Sequence, residues 1–167
     1  MKQGKIALSN ISNQLKNLNL SKLKTKNGRS VESELRGHAN ILLDCIEYEL
    51  KEAYMSYSPK VYQRSFGLYR SLFVGDMQIK IGTNGLNLSV QIGFDDSAMH
   101  DNFFGKPMNT AILMNEGWKT HGNFADVPYL GYREGTHFIE KGVLRYKKSV
   151  KQPFPIVLKI NNEIRNF

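Results

Sequence analysis

The residues of this chain that could do chemistry are few and scattered. Its four histidines, His38, His100, His121 and His137, fall in separate segments, and no HExxH, CxxC or His-x-His spacing brings two metal ligands together. The dense acidic group is Asp95-Asp96, with His100 and Asp101 close behind. A metal-dependent nuclease would need such carboxylates to converge from separate elements. A single stretch following a strand reads first as solvated surface. Gly82-Thr83-Asn84-Gly85 also follows a strand pattern, but it lacks the Gly-Lys-Ser/Thr and the following helix of a phosphate loop. No Gly-x-Ser-x-Gly elbow is present. Cys45 is the single cysteine. It sits inside a helical apolar pattern and reads as a packing residue, with a reactive thiol as the alternative. One cysteine excludes an internal disulfide framework and suits a reducing compartment. This inventory points away from an enzyme and predicts no catalytic residue, no cofactor and no metal.

Charge is more informative. The net charge of +8 is unevenly spread along the 167 residues. Residues 1–30 contribute +7 with no acid, residues 31–59 contribute −4, residues 60–132 are balanced, and residues 133–167 contribute +5. Basic ends around an acidic early segment favour contact with an acidic surface, whether protein or nucleic acid. Two clusters could touch phosphate: Lys22, Lys24 and Lys26 near the start, and Arg145, Lys147 and Lys148 further on. Neither belongs to a helix-turn-helix, zinc-finger or ribonucleoprotein motif. The longest apolar runs, such as Ile41-Leu42-Leu43, fall far short of the roughly 18 residues of a membrane span. No secretory signal is visible, and no membrane role is expected.

The elements that must position these residues follow from periodicity. Residues 1–29 read as a basic, partly flexible arm, closed by the Asn27-Gly28 turn signal. Residues 30–167 read as one α+β domain. Val31, Leu35, Ala39, Leu42, Ile46, Leu50, Ala53 and Tyr57 form a continuous apolar stripe, so a long helix is expected. Ser30 is its candidate N-cap and Ser58-Pro59 its stop. Gly37 weakens this helix but would permit another backbone to approach. Arg64–Phe73 reads as a short helix or turn. Met77, Ile79 and Ile81, then Leu86, Leu88, Val90 and Ile92, alternate with polar residues and predict two strands joined across residues 82–85. A loop over 95–107, a short helix over Asn109–Glu116 ended by Gly117, a second amphipathic helix over Phe138–Lys148 and a closing strand over 156–160 complete the reading. The expected architecture is a long N-terminal and a shorter C-terminal helix packed on a small, mainly antiparallel sheet, with a long aromatic loop. That loop, 117–135, carries Trp118, Phe124, Tyr129 and Tyr132, the residue types enriched at subunit interfaces.

From about residue 31 onward, the order of elements and several local motifs resemble a family of small tailed-bacteriophage proteins that join head to tail or complete the tail. The residues concerned are Tyr62-Gln63-Arg64-Ser65-Phe66-Gly67-Leu68-Tyr69-Arg70-Ser71 after the long helix, Ile112-Leu113-Met114-Asn115-Glu116-Gly117, and Gly135-Thr136-His137-Phe138-Ile139-Glu140-Lys141-Gly142. The family segment of type Tyr-x-Arg-Thr-Gly-x-Leu-x-x-Ser is altered here, because Ser65-Phe66-Gly67 replaces its Thr-Gly pair and adds a residue. The resemblance implies a non-catalytic α+β subunit of a virion. It would form a homo-oligomeric ring, with a hexamer among the options, assembled in the host cytoplasm and placed at the head–tail junction. Its implied partners are other neck and tail proteins, with non-specific contact to DNA in the channel. A tail-terminator ring subunit is a near variant. A nucleic-acid-binding accessory protein and a nuclease using Asp95, Asp96 and His100 are the readings from other classes.

Overall fold

The computed structural model describes residues 22–26, 28–56, 67–82, 85–101, 107–119, 132–160 and 163–167. The fold is α+β. In chain order it comprises helix α1 (Val31–Met55), the short helix α2 (Gly67–Arg70), strands β1 (Leu72–Gly82) and β2 (Gly85–Phe94), and a 3-10 turn at Asp96–Ala98. Strands β3 (Met99–Asp101) and β4 (Pro107–Asn109), helix α3 (Thr110–Glu116), and strands β5 (Gly117–Lys119) and β6 (Tyr132–Glu134) follow. Helix α4 (Phe138–Ser149) and strands β7 (Val157–Ile160) and β8 (Glu163–Asn166) close the chain. The strands pair only with their sequence neighbours, as β1-β2, β3-β4, β5-β6 and β7-β8. Each small sheet among the described residues is therefore a two-stranded ladder. The last three are antiparallel, with registers centred on His100↔Met108, Trp118↔Arg133 and Leu158↔Arg165.

The chain divides into two compact units, one of Met1–Ala39 with Gly75–Gln91 and the other of Asn40–Val74 with Ile92–Phe167. In the first unit, α1 begins as its sequence predicts. Ser30 Oγ accepts the Ser33 amide at 3.1 Å, and the Ser30 carbonyl receives the Glu34 amide at 3.0 Å, so the cap satisfies a donor that would otherwise be orphaned. Glu32 and Glu34 occupy the first turn, where the positive end of the helix dipole favours carboxylates. Glu32 also pairs with Arg36 one turn on, at 3.3 Å. Ahead of the cap, Gly28 adopts φ +74 and lets the chain fold back, pairing Lys24 with Ser30. Along the distal parts of β1 and β2, Met77, Leu88 and Val90 are half-buried while Asp76, Gln78, Lys80, Ser89 and Gln91 are exposed. The period-two pattern of a ribbon with one apolar face is only partial, since Ile79, in phase with Met77, is 40% exposed.

The second unit holds the core. Ile46, Leu50 and Ala53 of α1 are buried with Leu68, Ala98, Ala111, Met114, Phe138 and Ile139, and Leu42, Leu72, Ile92, Phe94 and Leu158 pack around them. From Leu42 to Ala53 the apolar stripe of α1 is therefore a core face, clustered with residues of helices α3 and α4 and of the strands. Leu50 and Phe138 are fully covered, each contributing about 1.5–3 kcal/mol of burial. Phe94 meets Phe138 edge-on, with centroids 6.0 Å apart and planes at 84°, a favourable quadrupolar geometry. Helices α1 and α4 approach closely at Gly142, where an added Cβ would lie 2.8 Å from Ile46 Cα. At Gly37, by contrast, a Cβ would meet nothing described within 4 Å. The close backbone approach that Gly37 would permit is seen, among the described residues, at Gly142.

Several other expectations change. Phe73 belongs to β1, which begins at Leu72 and absorbs the end of the segment read as a short helix. The loop after β2 contains a 3-10 turn and the β3-β4 pair, and β8 extends the closing strand into a hairpin. Tyr57 and Ser58-Pro59, expected at the end of α1, lie outside the described residues, as do 1–21 of the basic arm. Among the described residues, no helix is long and apolar enough to cross a membrane.

Candidate functional site

Two polar groupings in the second unit have defined geometry. The first gathers around Asn115, a side chain with no solvent exposure. Helix α3 delivers it through well-formed ends. Asn109 Oδ1 caps the N-terminus by accepting the amides of Ala111 at 2.9 Å and Ile112 at 3.3 Å. Gly117 (φ +85) ends the helix, and its N–H reaches the Leu113 carbonyl. Backbone then packs directly on backbone, since a Cβ on Gly135 would collide with the main chain of Asn115 and Glu116. The amides of Thr136 and His137 donate to the carbonyls of Met114 and Asn115, both at 3.0 Å. These bonds hold the start of α4 against the end of α3.

Within that frame Asn115 Oδ1 accepts the Ile139 amide at 2.9 Å, doing for α4 what a conventional N-cap would do. The capping residue itself, His137, is left-handed (φ +51) and makes no side-chain cap. Asn115 Nδ2 donates to Glu116 Oε1 at 2.8 Å and to Glu140 Oε2 at 2.9 Å. Arg165 of β8 completes the arrangement, with Nη1 2.9 Å from Glu140 Oε1 and Nη2 3.5 Å from Glu116 Oε2. Ligand atoms of Glu116, His137 and Glu140 lie within 4.8 Å of one another, the only such potential metal-binding group among the described residues. Both carboxylates already have a guanidinium on one oxygen and an amide on the other. A cation entering here would displace Arg165. The arrangement joins α3, α4 and β8 through charge-assisted hydrogen bonds.

The second grouping lies where α1 and α4 adjoin. Arg145 Nε is 2.7 Å from Glu49 Oε1, and its guanidinium carbon lies 3.8 Å above the centre of the Tyr48 ring. The Glu49 hydrogen bond raises the Arg145 pKa above its ordinary value. Glu49, Lys141, Leu144, Arg145, Lys148 and Ser149 line an open groove at this edge. On α1, burial pushes the Cys45 thiol up, opposed by a hydrogen bond with Ser149. A thiol that resists ionisation is a poor nucleophile, in keeping with a packing role. Burial likewise raises the Tyr146 phenol, whose oxygen accepts the Phe154 amide at 3.1 Å.

Of the basic candidates, Arg145 and Lys148 line this groove and Lys147 is half-buried, while Lys22, Lys24 and Lys26 are exposed in the first unit. The structure does not bring the two basic clusters into one unit. Trp118 and Tyr132 fall on paired strands β5 and β6, in adjacent rungs of one ladder. Phe124 and Tyr129 lie outside the described residues. Asp95 and Asp96 join no potential metal-binding group among the described residues; the Asp95 backbone instead receives the Ala98 amide and donates to Ser71. Sequence reading missed the Asn115–Glu116–Glu140–Arg165 cluster. Its one local signal was His137-x-x-Glu140 at the start of a helix, with nothing to show that Glu116 and Arg165 would join it.

No protein-family model matches this chain, and no curated protein or solved structure matches it either.

Proposed function

We propose that this protein is a structural, non-catalytic subunit of the neck or tail junction of a tailed bacteriophage, a ring-forming component that completes the tail or joins it to the head. The observation that supports this reading most is the order of elements. A long helix is followed by a strand pair, a short helix ending at Glu116-Gly117, a helix opening at Phe138 and a closing strand at Val157–Ile160. These elements stand in the order that the family resemblance implies, with the β3-β4 and β5-β6 pairs and β8 added to it. The polar cluster agrees with a scaffold, because its carboxylates are held by Arg165 and Asn115 and are not presented to a substrate. The exposed lysines near the start and on α4 suit a place beside DNA or an acidic neighbour.

Deleting the gene from the phage that carries it tests the proposal. The expected lysate contains filled heads and separate tails, and the protein is found in wild-type particles. Normal, infectious particles from the deletion would refute it. Hydrolysis of DNA by the purified protein, abolished by Asp95→Ala, would point to the nuclease reading instead.

A further inference from the structure

The two basic clusters differ in what surrounds them. On α4, Arg145 is bound to Glu49, and Glu49 lines the same groove as Lys141 and Lys148. Near the start of the chain, by contrast, residues 1–30 contain no acid. Lys22, Lys24, Lys26 and Arg29 are all exposed, and none makes an ion pair with any described residue. Of the first acids downstream, Glu32 is paired with Arg36 and Glu34 has one carboxylate oxygen buried. These four bases are also gathered by the backbone. The Leu23 carbonyl accepts the Val31 amide at 2.8 Å, the Arg29 carbonyl the Thr25 amide at 2.8 Å, and the Thr25 carbonyl the Gly28 amide at 3.0 Å. Thr25 Oγ1 donates to the Arg29 carbonyl as well, at 3.3 Å. With the left-handed Gly28, these bonds fold the chain back between Leu23 and Val31 into a small hairpin ahead of the α1 cap.

The hairpin holds the backbones of Lys24, Lys26 and Arg29 within a Debye length of one another, about 10 Å at 0.1 M salt. Like charges kept this close without counter-charges repel one another and weaken the fold that holds them. Such a cost to stability is characteristic of residues kept for binding. We infer that the hairpin binds the phosphate backbone of a nucleic acid without reading its sequence. Four cations with no acid among them match a polyanion, and phosphate contacts position a protein but carry no base information. An acidic protein surface is the poorer match, because protein interfaces are depleted in lysine and rely on aromatic and apolar anchors. Here the large apolar group is Leu23, only 37% exposed, against three lysines and an arginine. A cluster ordered in advance also loses less entropy on binding than a loose basic segment would. This inference goes beyond the neck reading and does not rest on it.

Binding of the full-length chain to a fluorescently labelled DNA duplex, followed by anisotropy across about 50–200 mM salt, tests it. Lys22→Gln, Lys24→Gln, Lys26→Gln and Arg29→Gln together should reduce the slope of log affinity on log salt by about 3–4, at about 0.9 for each lost contact. A fourfold rise in salt should then cost this variant about a hundredfold less affinity than it costs wild type. Lys141→Gln with Lys148→Gln should leave the slope within about 1 of wild type. In low salt the fourfold variant should melt at the wild-type temperature or above it, because only repulsion has been removed. Absence of duplex binding by wild type overturns the inference, and so does a slope unmoved in the fourfold variant. An equal loss from the α4 pair would move the contact to α4 and likewise overturn it. Equally tight binding to poly-glutamate would assign the hairpin to an acidic protein. A lowered melting temperature would make the four bases structural, against the inference. None of these outcomes bears on whether deletion of the gene separates heads from tails.

Discussion

Two glycines, both inside helices, should respond to the same substitution with opposite signs. Gly37→Ala places a methyl group where nothing described lies within 4 Å. It should gain only the helix preference of alanine over glycine, about 0.5–1 kcal/mol. Gly142→Ala gains the same preference but drives its Cβ to 2.7 Å from Ile46 Cγ1, 2.8 Å from Ile46 Cα and 3.0 Å from Ile46 N. The first clash could relax by a side-chain rotation. The other two are with backbone, so one helix must shift in a core that tolerates little overpacking, at about 1–3 kcal/mol. The balance is a net loss of up to about 2 kcal/mol for Gly142→Ala against a net gain for Gly37→Ala. For a domain of this size, 1 kcal/mol moves the midpoint by about 2–4 °C. Thermal unfolding followed by circular dichroism should therefore raise one midpoint and lower the other. Trimming the neighbour with Ile46→Ala should not rescue Gly142→Ala, since the main chain of residue 46 stays in the way. Equal stabilisation by both substitutions would refute the close helix approach and the reasoning built on it.

Asn115→Ala removes one bond to a backbone amide and two to carboxylates. It should cost about 2–4 kcal/mol, read as a lower denaturant midpoint with little change in slope. The raised pKa values of Cys45 and Tyr146, both caused first by burial, make stability fall on the alkaline side. Each group holds its proton more tightly folded than unfolded, so its contribution is complete below the unfolded pKa, about 8.5 for the thiol and 10 for the phenol. That contribution is lost as pH rises through the folded value. A Cys45→Ser, Tyr146→Phe double variant should show a flatter stability profile between about pH 8 and 11, measured by denaturant titration, and an unchanged slope would contradict the assignment.

How much of this could be read from sequence depended on how local each signal was. The start of α1 was legible because Ser30, Glu32 and Glu34 lie together in the chain, and α3 because Asn109 and Gly117 bracket it. Strand β1 began earlier than expected because Phe73-Val74 runs on directly from the apolar Leu68-Tyr69, leaving no change of period to mark the boundary. Strands β3, β4 and β8 are three or four residues long, too short for alternation to register. Which glycine serves a close approach is illegible for a related reason. Sequence shows that Gly37 and Gly142 lack a Cβ, but not which of them has a neighbour. The polar cluster was illegible because Asn115, Glu140 and Arg165 meet only after α3, α4 and β8 have packed.

The neighbour-only pairing of the strands has a consequence for the order in which this chain folds. Each ladder closes a short stretch of chain and can form soon after its residues leave the ribosome. The meeting of Ile46 with Gly142 instead spans roughly a hundred residues; closing so long a loop adds little entropy cost, but it must wait for the distant segment. Until Phe138 and Ile139 emerge, the core around Ile46 and Leu50 lacks two of its buried members. The nascent chain therefore carries an incompletely covered apolar helix while the residues between Leu50 and Phe138 are made, the interval in which chaperone capture and premature self-association compete with folding.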